Sequence, residues 1–156
     1  MPAVTFSGLG DVIIRDDARR RLESAELTGA EYRAVEKVRI VRLEWETWNA
    51  DGAEPAFCPD SGEPEDYILG LPHDPELAWA MGDLWELVAK TWGTATVEVI
   101  GARPFKRTVT LAQGEGPMPD LFKAEGVRDL FASDRARAAI EEIAGQWIEF
   151  APVAEG

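Results

Sequence analysis

The chain has 156 residues, 46% of them hydrophobic and 29% charged, with six tryptophans, one cysteine and one histidine. A chain of this length buries about two thirds of its unfolded surface in one domain, so folding requires neither disulfides nor metal. The lone Cys58 excludes an intramolecular disulfide, Cys58 and His73 together fall short of a zinc centre, and a formal charge of −13 sets the chain against nucleic acid and anionic lipid as ligands.

Residues 1–10 carry neither the basic start nor the apolar run of a signal peptide, and no stretch approaches the roughly 20 apolar residues of a membrane span, so the expected compartment is the cytoplasm. Residues 8–35 read as a short strand, a helix capped by Asp16 with Ala18, Leu22 and Ala25 as its stripe, a stop at Gly29 and a second strand. A long strand is expected over about 30–48. Val38 and Ile40 share one face of it while Val41, Leu43 and Trp45 share the other, and this change of phase predicts a bulge near Ile40. Residues 49–75 hold five prolines and three glycines, the composition of a long surface loop.

Residues 76–92 support two readings. Leu77, Met81, Leu84, Trp85 and Val88 fit a helical stripe, but Gly82 interrupts it, and Trp85, Leu87 and Ala89 also suit a strand. Residues 94–100 and 104–111 are β-rich and predict a hairpin turning at 101–103, after which 113–119 form a Gly/Pro linker. Ser133 is an expected N-cap for a helix over 134–143, with Ala136, Ala139, Ile140 and Ile143 at helical spacing.

The two ends of the chain are alike. An ungapped offset of 118 places residues 8–35 on 126–153 with eight identities in 28 positions: Gly8/Gly126, Asp11/Asp129, Asp16/Asp134, Ala18/Ala136, Arg19/Arg137, Glu23/Glu141, Glu31/Glu149 and Val35/Val153. Apolar positions agree as well, as in Leu22/Ile140 and Tyr32/Phe150. The expected fold is therefore α+β: a single domain with a mixed or antiparallel sheet and two similar strand-helix-strand units at its ends.

Charge is concentrated in the middle. Between Leu43 and Ala89 there is no Lys or Arg, but there are twelve acids: Glu44, Glu46, Asp51, Glu54, Asp60, Glu63, Glu65, Asp66, Asp74, Glu76, Asp83 and Glu86. Elsewhere 17 acids face 16 bases. Such a field attracts a cationic partner and speeds its encounter.

Three segments carry a resemblance to a known family: GDVIIRDDARRRLESAELTGAEYRAVE at 10–36, LWELVAKTWGTA at 84–95 and DLFKAEGVRDLFASDRARAAIEEIAGQWIEFAPV at 120–153. In these the chain resembles the double-CXXCG-motif immunity proteins of myxobacterial polymorphic toxin systems. The resemblance implies a toxin-neutralising binder with no catalytic residues. Members of that family carry two CXXCG elements resembling zinc ligands, whereas Cys58-Pro59-Asp60-Ser61-Gly62 here has Ser61 in place of the second cysteine. No metal and no cofactor are expected.

Catalytic patterns are sparse. His73 sits between Pro72 and Asp74 in the acidic stretch, and Cys58 has no companion oxyanion or nucleophile-elbow motif. Glu63, Glu65 and Asp66 do not match a calcium loop, and Gly8 and Gly10 do not make a phosphate loop. Three functions follow from these patterns: an immunity protein acting on a cognate toxin, an acidic nucleic-acid mimic that inhibits a DNA- or RNA-binding protein, and a small enzyme acting on a cationic substrate. The first is favoured, with a toxin of basic surface as partner, no enzymatic activity, and no nucleic acid or membrane ligand. The expected partner-binding residues are Trp48, Asp51, Glu54, Asp60, Glu63, Glu65 and Asp66.

Overall fold

A computed structural model describes residues 1–7, 10–43, 51–52, 68, 70–99, 107–145 and 147–155. In chain order the elements are β1 (Val4–Phe6), β2 (Val12–Arg15), α1 (Asp16–Ser24), β3 (Ala30–Ala34), α2 (Pro75–Ala80), β4 (Leu84–Val99), β5 (Arg107–Ala112), β6 (Leu121–Glu125), β7 (Leu130–Ala132), α3 (Asp134–Ala144) and β8 (Ala154–Glu155). The class is α+β with a mixed sheet. The contacts divide the chain into two units, one of Met1–Val35 with Asp83–Gly156 and one of Glu36–Gly82.

The larger unit is organised by β4, whose β-branched and aromatic residues favour extended backbone. Its first half pairs antiparallel with β2, from Val12 opposite Leu87 to Arg15 opposite Leu84. It also pairs antiparallel with β3, from Ala30 opposite Ala89 to Ala34 opposite Trp85. The second half pairs antiparallel with β5, so residues 94–99 and 107–112 form the hairpin that alternation predicted; the expected turn at 101–103 lies outside the described residues. β6 runs parallel to β4 beside Lys90, Thr91 and Thr94, with a register shift between Thr91 and Thr94. Gly93 sits within that shift at φ +73, where an added Cβ would meet the Ala112 carbonyl oxygen at 2.4 Å. A side chain is excluded there both by backbone conformation and by space.

Burial follows the pleat. Leu121 and Phe122 are adjacent on β6, point to opposite faces and are both buried. Leu121 joins Val12, Ile14, Leu87 and the helix residues Ala18, Leu22, Ala136 and Ile140 in one apolar cluster. Phe122 joins Ala95, Ala124 and Phe131 in a second, with its ring centroid 5.2 Å from both Phe131 and Trp92. The 118-residue offset lays β2 and α1 on 130–133 and 134–142, where β7 and α3 lie, and matches buried Ala18 and Leu22 with buried Ala136 and Ile140. The copies differ afterwards: β3 falls on 148–152, which form no strand, and β8 begins only at Ala154.

The helix starts also differ. Ser133 caps α3 as expected, its Oγ accepting from Ala136 N–H at 3.2 Å. Asp16 is not the cap of α1. Arg15 holds that position without a side-chain bond, and Asp16 is the first helical residue. Asp16 Oδ1 accepts from Arg19 at 2.9 Å and from Trp85 Nε1 at 3.0 Å, while Oδ2 pairs with Arg20 at 2.6 Å. Arg19 also lies 4.3 Å from the centre of the Trp85 ring. These donors, Arg19 foremost, hold the Asp16 carboxyl below the usual carboxylate range and tie α1 to β4.

The ends of the chain meet at Asp120. Its Oδ2 accepts from Thr28 N–H and Thr28 Oγ1, both at 2.9 Å, and its Oδ1 accepts from Ser133 Oγ at 2.8 Å. Arg135 donates to the carbonyls of Ala25 and Glu26 just past α1. Gly29 holds the crossing close: at φ +87, a Cβ there would lie 2.2 Å from the Leu121 oxygen. Gly29 thus allows β3 to pass β6, and α1 ends earlier, at Ser24.

Two expectations about 30–48 are corrected. The strand stops at Ala34, residues 35–43 form no strand and Ile40 marks no bulge, while 44–48 lie outside the described residues. Val38 is 81% exposed and Leu43 is also exposed, while the adjacent Ile40 and Val41 are both half-buried, so burial does not alternate along the segment as a pleat requires. Residues 76–92 satisfy both of their readings, with helix to Ala80, strand from Leu84, and Gly82 at φ +66 between them.

Candidate functional site

Of the seven expected partner-binding residues, Trp48, Glu54, Asp60, Glu63, Glu65 and Asp66 lie outside the described residues, as does Cys58. Asp51 is described; it is exposed in a turn with Gly52. Within the smaller unit, the longest described stretch of the acidic span is residues 70–82.

That segment contains a helix with a well-defined start. Asp74 is the N-cap of α2 and Pro75 occupies its first turn, where a missing N–H costs nothing. Asp74 Oδ1 accepts from Leu77 N–H at 2.8 Å, and Oδ2 accepts from Arg42 Nε at 2.8 Å. The Leu77 amide, helped by the Arg42 guanidinium, holds the Asp74 carboxyl below the usual carboxylate range.

Residues 37–42 clip this helix at both ends. Ile40 N–H donates to His73 Nδ1 at 3.0 Å, and Asp74 N–H donates to the Ile40 oxygen at 2.7 Å. An accepting Nδ1 places the proton of a neutral imidazole on Nε2, so His73 acts here as a backbone tie. At the other end Lys37 Nζ donates to the carbonyl oxygens of Ala78 and of Gly82, the latter at 2.7 Å, placing a cation at the negative end of the helix.

What the helix presents is Trp79. Its side chain is 85% exposed, whereas its neighbour Ala78 is buried. Pro75, Glu76 and Trp79 line a shallow cleft, with Glu76 also exposed. A tryptophan normally buries much of its large surface, so one left in water on a short clamped helix is available to a partner. The sequence contained a signal for it: the stripe Leu77, Met81, Leu84 places Trp79 off the apolar face. Trp48, the expected anchor, ends a strand-like run and lies outside the described residues.

Among the described residues no group of three or more His, Cys, Asp or Glu is arranged to hold a metal ion, and no helix is long and apolar enough to cross a membrane. Comparison with protein-family models, with curated proteins and with solved structures finds no match to this chain.

Proposed function

We propose that the chain is a cytoplasmic immunity protein, without catalysis of its own, that binds a cognate bacterial toxin of basic surface and occludes its active or substrate-binding face. The observation that carries this reading is Trp79, exposed on a helix fixed by Asp74, Lys37 and His73 inside a stretch of 47 residues with twelve acids and no Lys or Arg. The resemblance of the chain's two ends to immunity proteins points the same way. Clustered carboxylates accelerate encounter with a cationic partner, and a desolvated aromatic anchor slows its escape. An inhibitor that must act before damage is done gains from both.

The test uses the protein encoded beside this chain, where a toxin is expected. Co-expression should protect cells from it. Reversal of Glu63, Glu65 and Asp66 to Lys, with circular dichroism unchanged, should lower the association rate at least 10-fold at low salt and flatten its salt dependence. An unchanged rate and salt slope would move the binding surface away from the acid.

A further inference from the structure

The larger unit holds a crevice of about 920 Å³, open to solvent on one side and lined by the curled sheet, α3 and the tail at 148–153. The apolar residues that keep accessible surface on its lining include Val109 and Leu111 of β5, Leu130 of β7, and Ile148 and Phe150 of the tail, while Ile14, Leu87, Phe122 and Ile140 lie buried behind them. Protein interiors are packed like organic crystals, and a space of this size falls in the range of small-molecule sites.

The charges on the lining decide what fits. Arg107, Arg128 and Arg137 are balanced by Asp129, Asp134 and Glu149, so the wall carries none of the chain's charge of −13. Arg107 and Asp129 neutralise each other directly at 2.6 Å, and Arg137 is held by Glu141 at 2.8 Å and lies 5.9 Å from the centre of the Phe150 ring. With a lining that sums to zero, neither an anionic nor a cationic ligand finds a net counter-charge on the wall, and an anionic one also meets the repulsion of the whole molecule. We propose that this crevice binds a small uncharged apolar molecule, an alkyl or fused-ring body with at most one neutral polar group. Every residue that lines it belongs to the larger unit.

The probe is N-phenyl-1-naphthylamine, which is uncharged and fluoresces strongly once removed from water. The native chain should bind one equivalent at micromolar concentration, and dodecanol should displace it at least 10-fold more effectively than dodecanoate or dodecylamine. Val109→Trp and Leu111→Trp, which place an indole in the crevice, should each weaken binding at least 10-fold with circular dichroism and thermal midpoint retained. Should either variant fail to fold, amide and methyl shifts of the native chain decide the matter: they should move at Val109, Phe122 and Leu130 and stay still at Trp79. Absence of saturable binding by the native chain, equal displacement by the charged amphiphiles, or shifts confined to other residues would overturn the proposal.

Discussion

The unit of Met1–Val35 with Asp83–Gly156 and the unit of Glu36–Gly82 are held by different chemistry. In the first, two clusters of buried apolar residues lie against a sheet whose central strand has neighbours along both halves. In the second, Ala78 is the one buried hydrophobic residue among those described, and α2 is kept in place by Asp74, His73, Lys37 and Arg42. Apolar burial stabilises in proportion to area and has no preferred direction, whereas a polar clip contributes little net energy but fixes an orientation. A scaffold needs the former; a helix that must hold a tryptophan out in water can use the latter.

The contrast breaks first at Phe122, which is 2% exposed and packed between Phe131 and Trp92. Phe122→Ala should cost about 3–5 kcal/mol in denaturant unfolding. A cost under about 1 kcal/mol would mean that the second cluster is not a packed core. Glycine gives a comparison between the units. Gly29→Ala forces a Cβ against the Leu121 oxygen, while Gly82, also at positive φ, has nothing within 4 Å of its added Cβ. The first change should cost roughly 3 kcal/mol or more and the second about 1 kcal/mol, the left-handed penalty alone. Equal losses at the two sites would remove the distinction between a packed crossing and an open turn.

How far this contrast could be read from the sequence depended on whether a patterned segment found a neighbour to pair with. The β4–β5 hairpin was legible because Ala95, Val97 and Val99 alternate with Thr94, Thr96 and Glu98 beside a second β-rich run, although of the three only Ala95 is buried, and Gly82 marked the change from helix to strand. Residues 35–43 misled because Val38 and Leu43 have strand-like side chains on a segment that forms no strand and buries neither. Asp16 misled because an acid before a helix suits both a cap and an ion pair, and Arg19, Arg20 and Trp85 claimed it for the second role. Trp79 could have been found by asking which large residue the helical stripe leaves out. The crevice could not: its wall joins residues from both ends and the middle of the chain, and no local spacing encodes that meeting.

A smaller effect is expected at Asp120, which joins the two ends of the larger unit. Asp120→Ala leaves the Thr28 amide and the Ser133 hydroxyl without their acceptor and should cost about 2 kcal/mol. The Thr28 amide, with the Ser133 and Thr28 hydroxyls and Arg135, holds the Asp120 carboxyl below its usual range when folded. Its contribution is therefore present above the ordinary carboxylate value of about 3.9 and is lost as pH falls below that towards the depressed folded value. Asp120→Asn should flatten this acid limb of the stability profile. A limb as steep as that of the native chain would assign it to other carboxylates.

The division between scaffold and partner surface is tested most directly by two exposed tryptophans, Trp79 in the smaller unit and Trp147, 64% exposed, in the larger. The measurement is the dissociation constant of each alanine variant for the toxin encoded beside this chain. Trp79→Ala should weaken binding about 30-fold, or about 2 kcal/mol, mainly through faster dissociation, while Trp147→Ala leaves it within 2-fold. The reverse pattern, with Trp147 essential and Trp79 dispensable, would contradict the account and place the partner on the larger unit.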